Sequence, residues 1–234
     1  MRVLLVGHGR LGRAIEALCP AFGVELAGVL DETNNAGGCA LVEGRWAGVD
    51  VAIDASTPAA FLENIPALVR LGANLVVGTT GWQLHEAEVR EAVVGAGLGA
   101  VVAPNFSIGA ALLDDLAARA IQVLAARPDY SAWVHEAHHA AKQDAPSGTA
   151  LRLVRAMEGA GYRRPIDVSS TRAGFIPGTH TAGFEGRYES LTLTHTVRDR
   201  AVFGEGALAA ARWVVGRKGW FTMRDVLGLE GGPQ

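Results

Sequence analysis

Short apolar runs alternate with segments of helical periodicity along the amino-terminal half of the chain. Continuous apolar runs of this length are typical of parallel strands buried on both faces, which need crossover helices to connect them. The pattern therefore predicts an open parallel sheet covered by helices. The predicted strands are residues 3–6, 25–30, 49–53, 74–77 and 99–103.

The pattern changes after Pro104. Residues 108–124 have apolar positions at helical spacing, and residues 131–136 predict a short strand. Threonine and aromatic residues then alternate along further segments, with Glu185 and Gly186 as a turn signal. We expect an α/β protein in which a parallel-sheet domain is followed by a second domain with a mixed or antiparallel sheet. The later strands are residues 167–172, 179–184 and 187–197, and a helix follows at residues 203–215.

A glycine-rich turn follows the first predicted strand and opens a helical pattern. It consists of Gly7, His8, Gly9, Arg10, Leu11 and Gly12. In the dinucleotide fingerprint the first glycine permits a tight turn, the second lets pyrophosphate approach the backbone, and the third lets helix and strand pack closely. Asp31 ends the next strand about 20 residues further on, where an acid binds the adenosine ribose. This context predicts Rossmann-type nucleotide binding.

Polar turns also follow the later strands of the predicted sheet, at residues 54–58, 78–82 and 104–107. Each turn alone is compatible with an ordinary loop between a strand and a helix. In an open parallel sheet, however, the turns at the carboxyl ends of the strands lie at one crevice, where ligands bind. The series therefore favours a nucleotide site over a set of unrelated loops.

A helix start with anion-binding character is predicted at Ser147. This residue precedes an apolar-periodic segment and is a candidate N-cap, which places Gly148 and Thr149 in the first helical turn. The N–H groups of such a turn and the positive end of the helix dipole bind carboxylate or phosphate. The alternative is that the Ser-Gly-Thr sequence is only a helix cap.

Two histidines and a lysine precede this helix start. His138 and His139 are candidates for acid–base chemistry, although a histidine pair is also found as a partly exposed structural feature. Lys142 and Lys218 are the only lysines among 21 basic residues, so a basic residue that served only as surface charge would almost always be arginine. Arginine stays protonated, whereas a lysine ammonium can be desolvated and can transfer a proton, which makes Lys142 a candidate acid or substrate clamp.

The composition narrows the class of partner. A net charge of -3 over 234 residues gives no broad attraction to nucleic acid or to an anionic membrane, so a small molecule is the expected partner. Cys19 and Cys39 lack metal-ligand spacing and are expected to be reduced thiols. The apolar run before Gly7 is too short for a secretion signal, and no later run reaches the ~20 residues of a membrane span. We expect a cytoplasmic location.

The segment at residues 136–150, EAHHAAKQDAPSGTA, resembles the 4-hydroxy-tetrahydrodipicolinate reductase (dihydrodipicolinate reductase) family. Residues 78–81 (GTTG), 105–109 (NFSIG) and 221–227 (FTMRDVL) also follow its pattern, so the resemblance covers essentially the whole chain. It implies reduction of 4-hydroxy-tetrahydrodipicolinate to tetrahydrodipicolinate with NAD(P)H, in lysine and diaminopimelate biosynthesis. It also implies a Rossmann-type parallel sheet domain of residues 1–104 and 203–234, and a central mixed α/β domain with an open sheet. The central domain, residues 105–202, would bind a dicarboxylate substrate and form a homotetramer.

The same resemblance implies roles for individual residues and no metal ion. His138 would be the proton donor and acceptor, and Lys142 a second proton donor. The implied substrate ligands are His139, Ser147, Gly148 and Thr149. The implied cofactor contacts are Gly7, His8, Gly9, Arg10, Leu11, Gly12, Asp31, Gly78, Thr79, Thr80, Ala103, Pro104, Asn105 and Phe106.

One departure from the family pattern bears on the cofactor. Some members have an arginine directly after the ribose-binding acid, whereas this chain has Glu32 after Asp31. Two carboxylates repel the 2′-phosphate of NADPH unless Arg10 or Arg13 compensates, so we expect NADH to be preferred.

Two other functions share part of this pattern. Another two-domain NAD(P)-dependent dehydrogenase that acts on an amino acid would share the Rossmann signals, but it leaves the spacing of His138, Lys142 and Ser147 unexplained. A dinucleotide-sensing protein without catalysis would bind NADH and show no turnover.

Overall fold

The computed structural model describes residues 1–42 and 44–229. The chain divides into two compact units. The first comprises Met1–Ser107 and Ala201–Gly228, and the second includes Ile108–Arg200. Within the described residues, no helix combines the length and apolarity that a membrane crossing requires.

The first unit is built on a parallel sheet with the strand order β10-β5-β4-β3-β1-β2. Every pairing in this sheet is parallel, which confirms the predicted sheet type. The edge strand β10 was not predicted, because three residues are too few for a periodic pattern. The strands are β1 (Arg2–Val6), β2 (Glu25–Leu30), β3 (Val51–Asp54), β4 (Asn74–Val77), β5 (Gly99–Val102) and β10 (Gly219–Phe221).

Helices cover this sheet and bury its apolar strands. They are α1 (Arg10–Leu18), α2 (Pro58–Arg70), α3 (Glu86–Gly95), α6 (Ala201–Val214) and α7 (Met223–Val226). The start of α2 is set by Thr57, whose side chain accepts a hydrogen bond from the Ala60 N–H, and by Pro58 in the first turn. α6 packs closely on α1, since a Cβ on Gly204 would lie 2.9 Å from the backbone of Ala14. Residues from the end of the chain thus complete the first unit.

The second unit is a mixed sheet with the order β7-β6-β8-β9 and helices α4 and α5. β6 pairs in parallel with β7, whereas the β6–β8 and β8–β9 pairs are antiparallel, so the prediction of a mixed sheet is confirmed. Its core includes Leu113, Ile121, Leu153 and Phe184. The elements are α4 (Ile108–Leu124), β6 (Ser131–His138), α5 (Gly148–Gly159), β7 (Asp167–Arg172), β8 (Thr179–Glu185) and β9 (Ser190–Thr196).

Candidate active site

The glycine turn after β1 is tightly packed at its first and third glycines and open at its second. Gly7 has a φ of 97° and lies so close to the next strand's turn that a Cβ there would be 2.4 Å from the backbone of Ala55. A Cβ on Gly12 would be 2.1 Å from the Gly7 carbonyl oxygen, so α1 packs directly on the turn. In contrast, a Cβ on Gly9 would meet nothing within 4 Å. The backbone at Gly9 is therefore open to a ligand.

A cavity of about 470 Å³ adjoins this turn within the first unit. It is lined by Gly7, His8, Gly9 and Asp31 from the predicted set, and also by Arg13, Glu32, Thr33, Asn35, Ser56, Thr57 and Asn64. An open glycine turn, a helix amino terminus and an acid at the end of the second strand fit the phosphate and ribose of a dinucleotide.

Asp31 is pre-organised as an acceptor. Its Oδ1 atom accepts hydrogen bonds from the Thr33 hydroxyl at 2.6 Å, the Thr33 N–H at 2.9 Å and the Asn34 N–H at 3.2 Å. The hydrogen bonds from the Thr33 side chain and backbone lower the pKa of Asp31, which therefore stays ionised at neutral pH.

The remaining candidate cofactor residues of the first unit lie around the turns after β4 and β5. Leu11, Gly78 and Phe106 pack together, since a Cβ on Gly78 would be 2.8 Å from Leu11 and 3.1 Å from Phe106. The Asn105 Oδ1 atom accepts a hydrogen bond from the Ser107 N–H at 2.8 Å. Thr80 and Pro104 are exposed, and Ala103 is buried.

The Thr79 side chain is engaged inside the protein rather than open to a ligand. It is buried, and its hydroxyl donates a 2.5 Å hydrogen bond to Asp54 Oδ1. The same carboxylate oxygen accepts hydrogen bonds from the Ser56 hydroxyl at 2.9 Å and the Ser56 N–H at 3.2 Å. Asp54 thus joins the turn after β3 to the turn after β4, a role that the sequence did not indicate.

Asp54 is itself buried, and its Oδ2 atom has no hydrogen-bond partner among the described residues. Burial raises the pKa of Asp54 to about 6, and the hydrogen bonds from Thr79 and Ser56 only partly oppose this effect. Asp54 is a protonatable group close to the predicted nucleotide turns.

In the second unit, β6 delivers two functional side chains to the same side of the sheet. Glu136 and His138 are two residues apart on the strand, so they share a face, and both are buried. The His138 Nδ1–H donates a hydrogen bond to Glu136 Oε2. This contact fixes the orientation and the tautomer of the imidazole and leaves Nε2 as the nitrogen for proton exchange. Gly178 faces that nitrogen, because a Cβ there would lie 3.2 Å from Nε2.

Glu136 is the centre of a buried polar cluster. The Arg172 guanidinium donates from Nη1 to Oε2 at 2.9 Å and from Nη2 to Oε1 at 2.6 Å, and the Ser147 N–H donates to Oε1 at 3.3 Å. Burial alone raises the pKa of Glu136, but the hydrogen bonds from Arg172, Ser170 and His138 outweigh it and lower that pKa to about 2. Glu136 is therefore a permanent anion despite its burial.

Burial lowers the pKa of His138, and the nearby cations Lys142 and Arg172 act in the same direction. The Glu136 carboxylate opposes this effect without overcoming it. His138 is accordingly a neutral imidazole at neutral pH.

Lys142 lies on the segment that follows β6. Its ammonium donates a 2.7 Å hydrogen bond to Asp144 Oδ1, and the lysine side chain keeps 23% of its surface exposed. The hydrogen bonds from Lys142 and from the Gly148 backbone lower the pKa of Asp144. Lys142 and the start of α5 therefore both contact a carboxylate of the chain itself. His139 is partly buried, and its carbonyl oxygen accepts a hydrogen bond from the Lys142 N–H.

Ser147 is the N-cap of α5, as predicted. Its Oγ atom accepts a 3.2 Å hydrogen bond from the Ala150 N–H and lies 3.1 Å from His180 Nε2. Gly148 is exposed, and a Cβ there would meet nothing within 4 Å, so a ligand can approach this helix start. Burial lowers the pKa of His180 to about 4, and its ring stacks edge-on against His138 with the centroids 5.0 Å apart.

Both halves of the chain match models of one protein family. The model described as "Dihydrodipicolinate reductase, N-terminus" matches residues 1–106, and the model described as "Dihydrodipicolinate reductase, C-terminus" matches residues 109–227. This chain belongs to the dihydrodipicolinate reductase family.

Individual relatives agree with this assignment to the dihydrodipicolinate reductase family. The 4-hydroxy-tetrahydrodipicolinate reductase of Methanoregula boonei is 40% identical over 77% of this chain and 76% of its own length. The enzyme of that name from Laribacter hongkongensis is 37% identical over 98% of both chains. A dipicolinate-bound dihydrodipicolinate reductase from Paenisporosarcina sp. TG-14 has a TM-score of 0.79 at 23% identity, covering 95% of this chain and 97% of that one, so it shares the fold.

The family motif brings His138, Lys142 and Ser147 into one unit, but it does not reveal the residues that hold them. Arg172 and His180 lie 34 and 42 residues from His138, and no local pattern distinguishes Arg172 from the other arginines. Glu136 was part of the motif without a predicted role. The strand predicted at residues 131–136 stops at Glu136, whereas β6 continues to His138, and the two-residue spacing on that longer strand places both side chains on one face.

The cluster has side chains of the types that bind metal ions. Ligand atoms of Glu136, His138 and His180 lie within 4.8 Å of one another. However, both Glu136 oxygens accept hydrogen bonds from the Arg172 guanidinium, whose charge repels a cation. We assign no metal to this cluster.

Proposed function

We propose that this chain reduces 4-hydroxy-tetrahydrodipicolinate to tetrahydrodipicolinate, in lysine and diaminopimelate biosynthesis. NAD(P)H and a proton are consumed, and the hydroxyl group leaves as water. The observation that carries the proposal is a single cluster in which a Glu136-oriented His138 lies in the same motif as Lys142 and the open start of α5. That motif belongs to a chain whose two halves both match the dihydrodipicolinate reductase family.

In this proposal the first unit is the dinucleotide-binding domain, and NAD(P)H, when bound, supplies the hydride. The Gly7–Gly12 turn would hold the pyrophosphate at its open Gly9 backbone, and Asp31 would accept hydrogen bonds from the adenosine ribose. The turns after β4 and β5 provide the remaining contacts. Their predicted residues are Gly78, Thr79, Thr80, Ala103, Pro104, Asn105 and Phe106.

The second unit supplies proton chemistry and binds the substrate. Because Glu136 holds the Nδ1–H of His138, Nε2 is the atom that exchanges a proton with the substrate. The Lys142 ammonium is the second donor. The exposed Gly148 and the adjacent Thr149 bind a substrate carboxylate at the positive end of α5, with His139 and Ser147 as further ligands.

NADH is the preferred cofactor in this proposal. The pKa of Asp31 is lowered by hydrogen bonds from Thr33, so its charge is present at neutral pH, and Glu32 lines the same cavity. Two acids at this position disfavour the 2′-phosphate of NADPH. Arg13 also lines the cavity, but its Nε–H donates to the His8 carbonyl oxygen at 3.1 Å, which directs part of the guanidinium toward the glycine turn.

We further propose a cytoplasmic homotetramer assembled through the second unit. Cys19 and Cys39 are free thiols, in keeping with a reducing compartment. The mixed sheet carries exposed residues along β7 and β9, including Leu191 with 47% of its surface exposed, which is the kind of surface that oligomerisation covers. No nucleic-acid or membrane partner is proposed, since the net charge of -3 favours neither.

The proposal is tested by following the oxidation of NADH and of NADPH with substrate generated by a coupled dihydrodipicolinate synthase reaction. Oxidation that depends on substrate, with a higher kcat/KM for NADH, is the expected result. Folded protein that binds NADH but shows no oxidation would point to a dinucleotide sensor or to a different substrate.

A further inference from the structure

We propose that Arg172 is a positioning residue for both candidate proton-transfer groups, holding Glu136 for His138 and the backbone of the segment that carries Lys142. The expected effect on turnover rests on the proposed function. The expected effect on the His138 imidazole depends only on the structure.

Arg172 ends the strand β7 directly beside the end of β6. The two strands are parallel, and Arg172 is the register partner of His138. From this position its side chain, 18% exposed, contacts the fully buried Glu136 carboxylate. The bidentate contact at 2.6 and 2.9 Å compensates a charge that would otherwise lie unpaired in the interior.

The same guanidinium contacts the Lys142 segment. Besides Glu136, Nη2 donates to the Asp144 carbonyl oxygen at 2.6 Å, and Nη1 donates to the Thr171 carbonyl oxygen at 2.8 Å. Asp144 is in turn the hydrogen-bond partner of the Lys142 ammonium. One planar cation thus bridges the anion that orients His138 and the chain that presents Lys142.

An arginine is required for this bridge because its donors are spread over a rigid plane. A lysine ammonium can neutralise Glu136, but it cannot also reach two backbone carbonyl oxygens in fixed directions. Substitution with lysine therefore separates the charge of Arg172 from its geometry, whereas substitution with glutamine removes both.

The charges around His138 come from several elements. Glu136 is on the same strand, Arg172 is on β7, His180 is on β8, and Lys142 with Asp144 lie on the segment after β6. The positive charge of Arg172 destabilises the His138 imidazolium, and the negative charge of Glu136 stabilises it. Removal of Arg172 should strengthen proton binding by His138, and removal of the Glu136 charge should weaken it.

The direct test is an NMR titration of the His138 imidazole in the full-length protein, with His138→Gln used to identify its signal. We expect Arg172→Gln to raise the pKa of His138 by about one unit and Glu136→Gln to lower it by about one unit. Arg172→Lys should leave it closer to the wild-type value than Arg172→Gln does. Arg187→Gln, which removes an exposed arginine at the β8–β9 turn, is the matched control and should leave it unchanged.

A His138 pKa that is unchanged in both variants, or that shifts in the same direction in Arg172→Gln and Glu136→Gln, would overturn the inference. Circular dichroism and NADH affinity would reveal a folding defect in Arg172→Gln. In that case Arg172→Lys, which keeps the charge, still allows the test.

The kinetic test uses Arg172→Lys, which keeps the positive charge of Arg172 but not the geometry of its donors. We expect Arg172→Lys to lower kcat about tenfold while NADH affinity stays the same, because the Lys142 segment loses its anchor. A wild-type kcat in this variant would contradict the positioning role. If the wild-type protein itself lacks reductase activity, the proposed function fails, and the titration still decides whether Arg172 controls His138.

Discussion

The glycine turn of the first unit is made of backbone, whereas the Glu136 cluster of the second unit is made of ionisable side chains. In the turn, Gly7 and Gly12 fit because a Cβ would collide with main-chain atoms 2.4 and 2.1 Å away. In the cluster, Glu136 is tolerated inside the protein because Arg172 and His138 surround its carboxylate.

The difference determines what each region can tolerate. A backbone site is sensitive to added volume, whereas loss of a nearby side-chain charge leaves its peptide N–H donors in place. A cluster of buried charges responds to the loss of any one partner, because the remaining charges are then unpaired in a medium of low dielectric constant. We therefore expect the glycine turn to respond mainly to added volume and the Glu136 cluster to respond mainly to lost charge.

The largest effect is expected in the charge cluster. His138→Gln keeps a side chain of similar size but removes the proton-exchanging nitrogen, so kcat should fall by about 10² to 10⁴ while the dissociation constant of NADH stays the same. Steady-state kinetics and NADH fluorescence titration measure the two quantities. His135→Gln is the matched control, since His135 lies on the same strand and points to the other face. Loss of NADH affinity in His138→Gln would contradict the division of roles between the units.

Two glycines of the same turn should respond differently to one methyl group. Gly12→Ala drives a Cβ into the Gly7 carbonyl oxygen and should lower the free energy of unfolding by about 3 kcal/mol. A Cβ on Gly9 meets no protein atom within 4 Å, so Gly9→Ala should keep its stability. Its NADH affinity should fall about tenfold, because Gly9 lines the cavity proposed to hold the pyrophosphate. Chemical denaturation and NADH titration separate these outcomes. Equal loss of stability in both variants would show that the turn is not open at Gly9.

Asp54 is the exception within the first unit, because it is a buried charge among backbone-built turns. Its pKa is raised by burial from 3.8 to about 6, so the folded state binds a proton more tightly than the unfolded state. Protonated Asp54 therefore adds to the free energy of unfolding, by at most ~3 kcal/mol. This stabilisation is fully present below about pH 4 and is lost as the pH rises through about 6.

Asp54→Asn removes this titration. The stability of the wild type relative to the variant should therefore decline as the pH rises between about 4 and 6, which a series of thermal midpoints measures. Asp50→Asn, an exposed residue before the same strand, should retain the wild-type pH dependence in this range. If the stability difference between Asp54→Asn and the wild type stayed constant with pH, Asp54 would not titrate in this pH range.

The smallest effect is expected at the cofactor ribose. Glu32→Gln removes one of the two acids that line the cavity and should raise kcat/KM for NADPH relative to NADH roughly threefold. Glu91→Gln removes the same charge from an exposed position on α3 and should leave the ratio unchanged. A ratio that also stays unchanged in Glu32→Gln would assign the preference to Asp31 alone.

The two regions also differed in how far the sequence predicted them. The glycine turn, the acid after β2 and the Ser147 N-cap were predictable because each depends on neighbours within a few residues. The Arg172–Glu136 contact joins strands whose pairing depends on the whole second unit, and nothing near Arg172 in the sequence marks it. Strand β10 was missed for a related reason, since its three residues form a strand only by pairing with β5.

The most direct test of the reductase proposal is to follow the transferred hydrogen. With NADH deuterated at both C4 positions, the wild-type protein should yield tetrahydrodipicolinate that is one mass unit heavier than the product formed with ordinary NADH, as measured by mass spectrometry. A product without deuterium, or substrate recovered unchanged beside a folded and NADH-binding protein, would contradict hydride transfer from the cofactor to this substrate.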